Sequence, residues 1–281
     1  MKREAVGYYH LSVSIIGRGT GRSAVACAAY RSGAILADNR YGRIHDYSSR
    51  RGIFQTGIDA PDQAPHWVRD RELLWNRVEA GERRKDAQLA REFVLAFPHQ
   101  LDAEQRLELL HTFITEQITS RGLVADWAIH APNRAGDERN WHAHVLTTMR
   151  EIAPSGFAAT KDRSLNATEQ LVIWREAWAD LQNKLLEQVH ALDTSGQVVH
   201  VDHRSYLKQG IDLEPMLHMG VHATAMERRG HTTERGELNR AVTVRNGHEP
   251  VKGQSLESQA QRTLGTQAQR SHRSVELELG L

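Results

Sequence analysis

His142 and His144 stand two residues apart in Trp141 to Met149, a segment whose alternation reads as a β-strand. Side chains at that spacing leave one face of a strand, so the two imidazoles are aligned while Ala143 and Val145 face the other way. The preceding strand-like segment, Val124 to His130, ends on a third histidine. If the two segments pair as a hairpin across the polar loop Ala131 to Asn140, His130 reaches the same side of the sheet. Three neutral imidazoles on a rigid sheet can hold Zn²⁺, Mn²⁺ or a related divalent cation and leave positions open for substrate or water. In a chain with 16 histidines, a His-x-His pair alone fits hydrogen-bonded rings as well as ligands. The third histidine favours a metal, while the reaction stays open, since an all-histidine site suits hydrolases and oxygen chemistry alike.

The single cysteine, Cys27, excludes an internal disulfide and a thiolate zinc cluster, so nitrogen and oxygen must hold any metal. No apolar stretch approaches the ~20 residues of a membrane span, and the first residues turn polar too soon for a secretory signal. These features predict a cytoplasmic protein without a membrane partner. Formal net charge is +1, but its distribution is uneven: residues 1–57 hold nine Lys or Arg against three Asp or Glu, and residues 58–120 hold eight against twelve. A basic N-terminal segment suits contact with phosphates, whose neutralisation releases condensed counterions, and it suits an ordinary solvated face equally well.

The elements that must position these residues follow from periodicity. Tyr8 to Ile16 reads as a strand, and Gly17 to Gly21 as a glycine-rich turn. An alanine-rich helix then starts near Arg22 or Ser23 and runs to Tyr30. Arg40 to Gly57 is polar and punctuated by glycine, which predicts a loop or irregular hairpin outside the core. Helices are expected over Pro65 to Ala80, Asp102 to Arg121 and Thr168 to Leu192, and strands over Glu92 to Phe97 and Val198 to Val201. The mixture points to an α+β fold with helices on a sheet. After about Gly230 the apolar periodicity fades, which predicts a main domain over 1–230 and a flexible tail or linker over 231–281.

Several separated segments together resemble the MobA/MobL conjugative relaxases. They are Tyr9-His10-Leu11-Ser12, the glycine-rich turn, Ala26 to Gly33 (ACAAYRSG), Arg91-Glu92-Phe93, Asn140-Trp141-His142-Ala143-His144, Asp202 to Tyr206 (DHRSY) and Met226 to Gly230 (MERRG). The resemblance spans roughly residues 8–240. It implies an HUH relaxase fold, a central five-stranded antiparallel sheet flanked by helices, that nicks one strand of single-stranded DNA at a plasmid transfer origin. It further implies relaxosome accessory proteins and a coupling protein as partners. By matched position, Tyr30 is the implied nucleophile and His130, His142 and His144 the implied ligands of a divalent cation, Mn²⁺ or Mg²⁺ with Zn²⁺ as a further option. Glu92, implied to precede an apolar strand, is the implied site carboxylate. Trp141 departs from the pattern, since a proline often precedes the His-x-His pair there.

A phenol with an ordinary pKa of ~10 needs nearby positive charge or a base to attack phosphorus. Arg18, Arg22, Arg31, Arg40, Arg43, Arg50 and Arg51 are the expected phosphate contacts around Tyr30, with Arg204 in a further DNA-contacting or structural cluster, and Trp141 or Tyr41 available to stack a base. Tyr41 and Tyr47 are the main rivals for the nucleophile, and Glu92 also suits a surface ion pair. Other readings keep the histidines and change the chemistry: a metal-dependent phosphodiesterase using activated water, a replication initiator or transposase of the HUH type, or a binding protein that never cuts.

Overall fold

The computed structural model describes residues 7–132, 138–193 and 196–247. The chain divides into two compact units, Met1–His203 and Arg204–Leu281.

The first unit is built on a five-stranded antiparallel sheet. Its strands are β1 (Leu11–Gly17), β4 (Ile53–Asp59), β5 (Gln88–Ala96), β6 (Ala125–His130) and β7 (His142–Thr148), in the order β1-β5-β7-β6-β4. Between β1 and β4 come helix α1 (Ala24–Ser32) and a hairpin of β2 (Ile35–Asp38) and β3 (Arg43–Asp46). Helices α2 (Arg71–Gly81), α3 (Ala103–Gln117) and α4 (Thr168–Gln188) complete the layers. This is the five-stranded antiparallel sheet flanked by helices that the resemblance implies.

Strand parity sorts two cores. Odd-numbered positions, including Leu11, Phe93, Leu95, Trp127, Ile129, Ala143 and Val145, join the buried rings of Phe113, Trp174 and Trp178 on α3 and α4. On the opposite face, Ile16, Ala90 and Leu146 pack under Ala24, Val25, Ala28 and Ala29 of α1 and Leu74, Trp75 and Val78 of α2. The small residues of α1 let its backbone lie close to the sheet. Ser23 caps the helix by accepting a hydrogen bond from Ala26 N at 3.2 Å, and Gly33 ends it at φ +66°. A Cβ on Gly33 would lie 2.5 Å from Ile53 Cδ1, so both the turn and the fit against β4 require glycine.

Two expectations change. Residues 53–59, read as part of a loop, form an edge strand of the main sheet: Ile53, Thr56 and Ile58 carry the β-forming pattern, which Gly52 and Gly57 mask. Gly57 lies against the Trp127 indole, where a Cβ would be 2.4 Å from the ring, so this glycine marks close packing rather than a turn. Val198 to Val201 forms isolated bridges in place of a strand, that between Leu192 and Val198 among them.

The second unit holds α5 (Tyr206–Gln209), α6 (Gly220–Arg228) and α7 (Glu234–Arg245). Helix α7 falls within the stretch read as tail. Polar contacts hold it: Glu227 accepts from Thr233 Oγ1 at 2.8 Å and from Arg240 Nη1 at 2.8 Å, and Asn239 bonds both the N–H and C=O of Leu217. A helix fixed in this way lacks the apolar stripe that periodicity detects. Residues 248–281 of the expected tail, and 133–137 of the expected loop, lie outside the described residues. Among the described residues no helix is long and apolar enough to cross a membrane.

Candidate metal and nucleophile site

Strands β6 and β7 pair so that His130 stands opposite His142 and Ala128 opposite His144. All three histidines therefore share one face, the face covered by α1, at one end of the sheet. Ring centroids are 5.3 Å apart for His130 and His142, 4.9 Å for His130 and His144, and 5.3 Å for His142 and His144. One ring nitrogen from each lies within 4.8 Å of the others, the only such grouping of potential metal-ligand side chains among the described residues.

Hydrogen bonds fix which nitrogen each ring presents. His130 Nε2 donates to the Arg31 carbonyl at 2.8 Å, His142 Nδ1 to the Asn140 carbonyl at 3.0 Å, and His144 Nδ1 to Glu92 Oε1 at 2.9 Å. Because each partner only accepts, each ring carries a proton on that side, and the other nitrogen is the one a neutral ring would offer to a cation. Burial pulls the His130 imidazole down to about 4 and lowers His142 as well. Neutral, oriented imidazoles are what a divalent cation requires, so this donor set fits one.

Glu92 lies in the middle of β5, opposite Ser14 and Leu146, not ahead of a strand. It is 5% exposed, and both its oxygens are taken: Arg31 donates from Nε to Oε1 and from Nη2 to Oε2 at 2.5 Å, and Arg22 approaches Oε2 to 3.6 Å. Burial pushes the carboxyl up, but the hydrogen bonds from His144 and Arg31 and the Arg31 charge outweigh it and leave Glu92 at about 2. Glu92 is thus an ionised buttress for His144.

Tyr30 is on the last turn of α1, next to the residue whose carbonyl holds His130. Tyr30 is 47% exposed. Tyr47 packs edge to face on it at 5.2 Å, and the Arg50 guanidinium lies 3.6 Å above its centroid while Nη1 donates to the Tyr30 carbonyl at 2.6 Å. The rival Tyr47 is therefore a half-buried neighbour of Tyr30, and Tyr41 sits by the β2–β3 turn with Arg43 5.6 Å from its ring.

The expected phosphate contacts separate. Arg22, Arg31 and Arg50 gather around Glu92 and Tyr30, while Arg40, Arg43 and Arg51 are exposed on the β2–β3 turn and before β4. Arg18 is corrected: it is turned inward against α2, bonding Glu79 Oε2 at 2.5 Å and the carbonyls of Glu79, Glu82 and Arg84, so burial withholds it from solvent. Arg204 belongs to the second unit. Sequence reasoning missed Phe54, which is 49% exposed and edge to face with Trp141 at 5.4 Å. An aromatic between the β-formers Ile53 and Thr56 was the available signal.

The MobA/MobL family profile matches residues 22–229. The chain is 37% identical over 260 residues to the conjugal transfer protein TraA of Agrobacterium fabrum, covering 82% of this chain and 23% of that protein. It is 34% identical to the mobilization protein MobL of Acidithiobacillus ferridurans over 79% of this chain and 64% of the relative. The chain thus spans about a quarter of the first relatives and about two thirds of the second. A solved structure described as the molecular basis of vancomycin resistance transfer in Staphylococcus aureus superposes with a TM-score of 0.62 at 32% identity, over 70% of this chain and 99% of that one. With the profile covering well over half of its length, the chain belongs to the MobA/MobL family.

Proposed function

We propose that this chain nicks one strand of DNA at a plasmid transfer origin, acting as the relaxase domain of a conjugative or mobilisation system. The observation that carries the reading is the hydrogen bond from His130 Nε2 to the Arg31 carbonyl, which ties the helix bearing Tyr30 to the three-histidine centre. The Tyr30 oxygen attacks the scissile phosphorus, a new O–P bond forms, and the bond to the 3′ oxygen breaks. The Tyr30 proton leaves to solvent or base, and the departing strand ends as a free 3′-hydroxyl. Because one phosphodiester replaces another, the 5′-phosphotyrosyl link can be reversed to reseal the strand. A divalent cation bound by His130, His142 and His144, Mn²⁺ or Mg²⁺ with Zn²⁺ a further option, would neutralise charge on the phosphate oxygens.

Glu92 and Arg31 serve by holding His144 and the end of α1. Arg22, Arg40, Arg43 and Arg51 are the cationic side chains that meet the strand, Arg50 is turned onto Tyr30, and Arg204 is a separate DNA contact of the second unit. The reading places the protein in the cytoplasm, with accessory proteins and a coupling protein as partners, as the family resemblance implies.

The test is incubation with a single-stranded origin oligonucleotide and Mn²⁺ or Mg²⁺, followed by a denaturing gel. A covalent adduct forms with the unaltered chain and is absent from Tyr30→Phe. An adduct undiminished in Tyr30→Phe overturns the nucleophile, and turnover without any adduct favours activated water.

A further inference from the structure

Strand β4 carries an irregularity where it passes the three histidines. Ile53 pairs with His130 and Gln55 with Ile129, leaving Phe54 as an extra residue between two ladder positions. A bulge on an edge strand re-aims the side chain it adds. Here it leaves Phe54 half-exposed at the sheet end that carries the histidines, on the α3 side with Trp141 and not on the α1 side with the imidazoles, where an apolar ring gains nothing from water.

The ring is backed rather than loose. It meets Trp141 edge to face at 5.4 Å, and no other ring of the described residues lies against it. Trp141 is itself fixed: its carbonyl accepts from Phe97 N at 2.9 Å, and the Arg106 guanidinium of α3 lies 4.2 Å from its centroid. Trp141 directly precedes His142, and Phe54 directly follows the residue paired with His130. The aromatic pair is therefore anchored to the same strand ends as two of the three histidines. The short run Arg50 to Phe54 touches Tyr30 at one end and Trp141 at the other, with the exposed Arg51 between them.

We propose that Phe54, backed by Trp141 and Arg106, is a stacking platform for one unpaired nucleobase of a strand that passes round this end of the sheet from the histidines. The proposal rests on the single-strand reading above and adds to it a base-binding position. A flat ring next to cationic side chains suits a nucleotide because the base supplies a π face and the backbone supplies charge. Stacking of this kind is tolerant of sequence, so the position would order the strand rather than select a base.

The experiment compares two probes of equal charge, a dT12 oligonucleotide and a 12-mer of abasic tetrahydrofuran nucleotides, by fluorescence anisotropy at fixed salt. Phe54→Ala is expected to weaken dT12 roughly 5- to 100-fold and leave the abasic 12-mer unchanged. Phe54→Leu, which keeps bulk without a π face, should behave as Phe54→Ala, and Phe54→Trp should retain affinity. Equal binding of dT12 by the unaltered chain and Phe54→Ala overturns the platform, as does an equal loss on both probes. If the unaltered chain binds neither probe, the single-strand reading itself fails; if it binds and only the variants are indifferent, the platform alone fails.

Discussion

The sheet face under α3 and α4 packs Phe93, Phe97, Phe113, Trp174 and Trp178 edge to face, with centroids 4.8 to 6.1 Å apart, whereas the face under α1 and α2 buries ions. On that second face, or against it, lie Arg18 with Glu79, Arg71 and Trp75 with Asp126, and Arg31 and His144 with Glu92. Ring packing is tolerant and strongly stabilising, while a buried ion pair roughly breaks even against desolvation and mainly fixes geometry. One sheet thus gathers its buried ion pairs on the face that carries the histidines and its rings on the other, where Arg91 is the buried charge set against Trp174.

The largest effect should come from crossing that division. Phe113→Ala removes a fully buried ring that touches Phe93 and Trp178, and about 3–5 kcal/mol of stability should be lost in urea unfolding. His142→Ala should change the metal-free stability by about 1 kcal/mol or less and yet abolish any rise in melting temperature on adding Mn²⁺. If His142→Ala costs as much as Phe113→Ala without metal, the two faces do not divide stability from function.

That division was partly legible beforehand. The i and i+2 spacing of His142 and His144 fixes their common face, and the hairpin brings in His130, because pleat and pairing are local consequences of sequence. The helices carrying Leu110, Phe113, Trp174 and Trp178 were visible for the same reason. What periodicity could not deliver was partnership. Arg18 and Arg31 look alike as exposed cations in a basic segment, and only folding turns one onto Glu79 and the other onto Glu92. The edge strand β4 was hidden by a turn glycine, Gly52, and a packing glycine, Gly57, and Phe54 by the bulge that exposes it.

Acid should separate the faces by smaller steps. An unfolded histidine titrates near 6.5 and His130 in the fold near 4, so between these values the unfolded chain binds the extra proton and stability falls as pH drops. The loss from His130 is on the order of 2–3 kcal/mol across that window in metal-free protein. Glu92 adds a second loss below its ordinary 4.5, continuing toward its folded value of about 2. Urea midpoints against pH should therefore decline from 6.5 downward. Phe113→Ala should lower the whole curve without altering its shape, and His130→Ala should flatten the limb between 6.5 and 4. A limb unchanged in His130→Ala would assign the titration elsewhere.

The smallest expected change in stability falls on the half-exposed side of the reactive face. Arg50 lies flat on the Tyr30 ring and bonds the Tyr30 carbonyl, so Arg50→Ala removes one cation–π contact and one hydrogen bond, together about 1 kcal/mol at a partly solvated place. Two roles for that guanidinium predict different kinetics. A phosphate contact would reduce the slope of log Kd against log salt by about one and weaken binding to every strand alike. A clamp that holds the phenol in one orientation would leave slope and Kd in place and slow adduct formation in a single turnover, roughly tenfold if ring orientation is the main loss. Both guanidinium contacts run to Tyr30, so the second pattern is expected, with Arg50→Lys giving little rescue because an ammonium cannot stack as a plane. An unchanged single-turnover rate with a lowered salt slope would return Arg50 to the phosphate surface and leave Tyr47 as the remaining described ring contact orienting Tyr30.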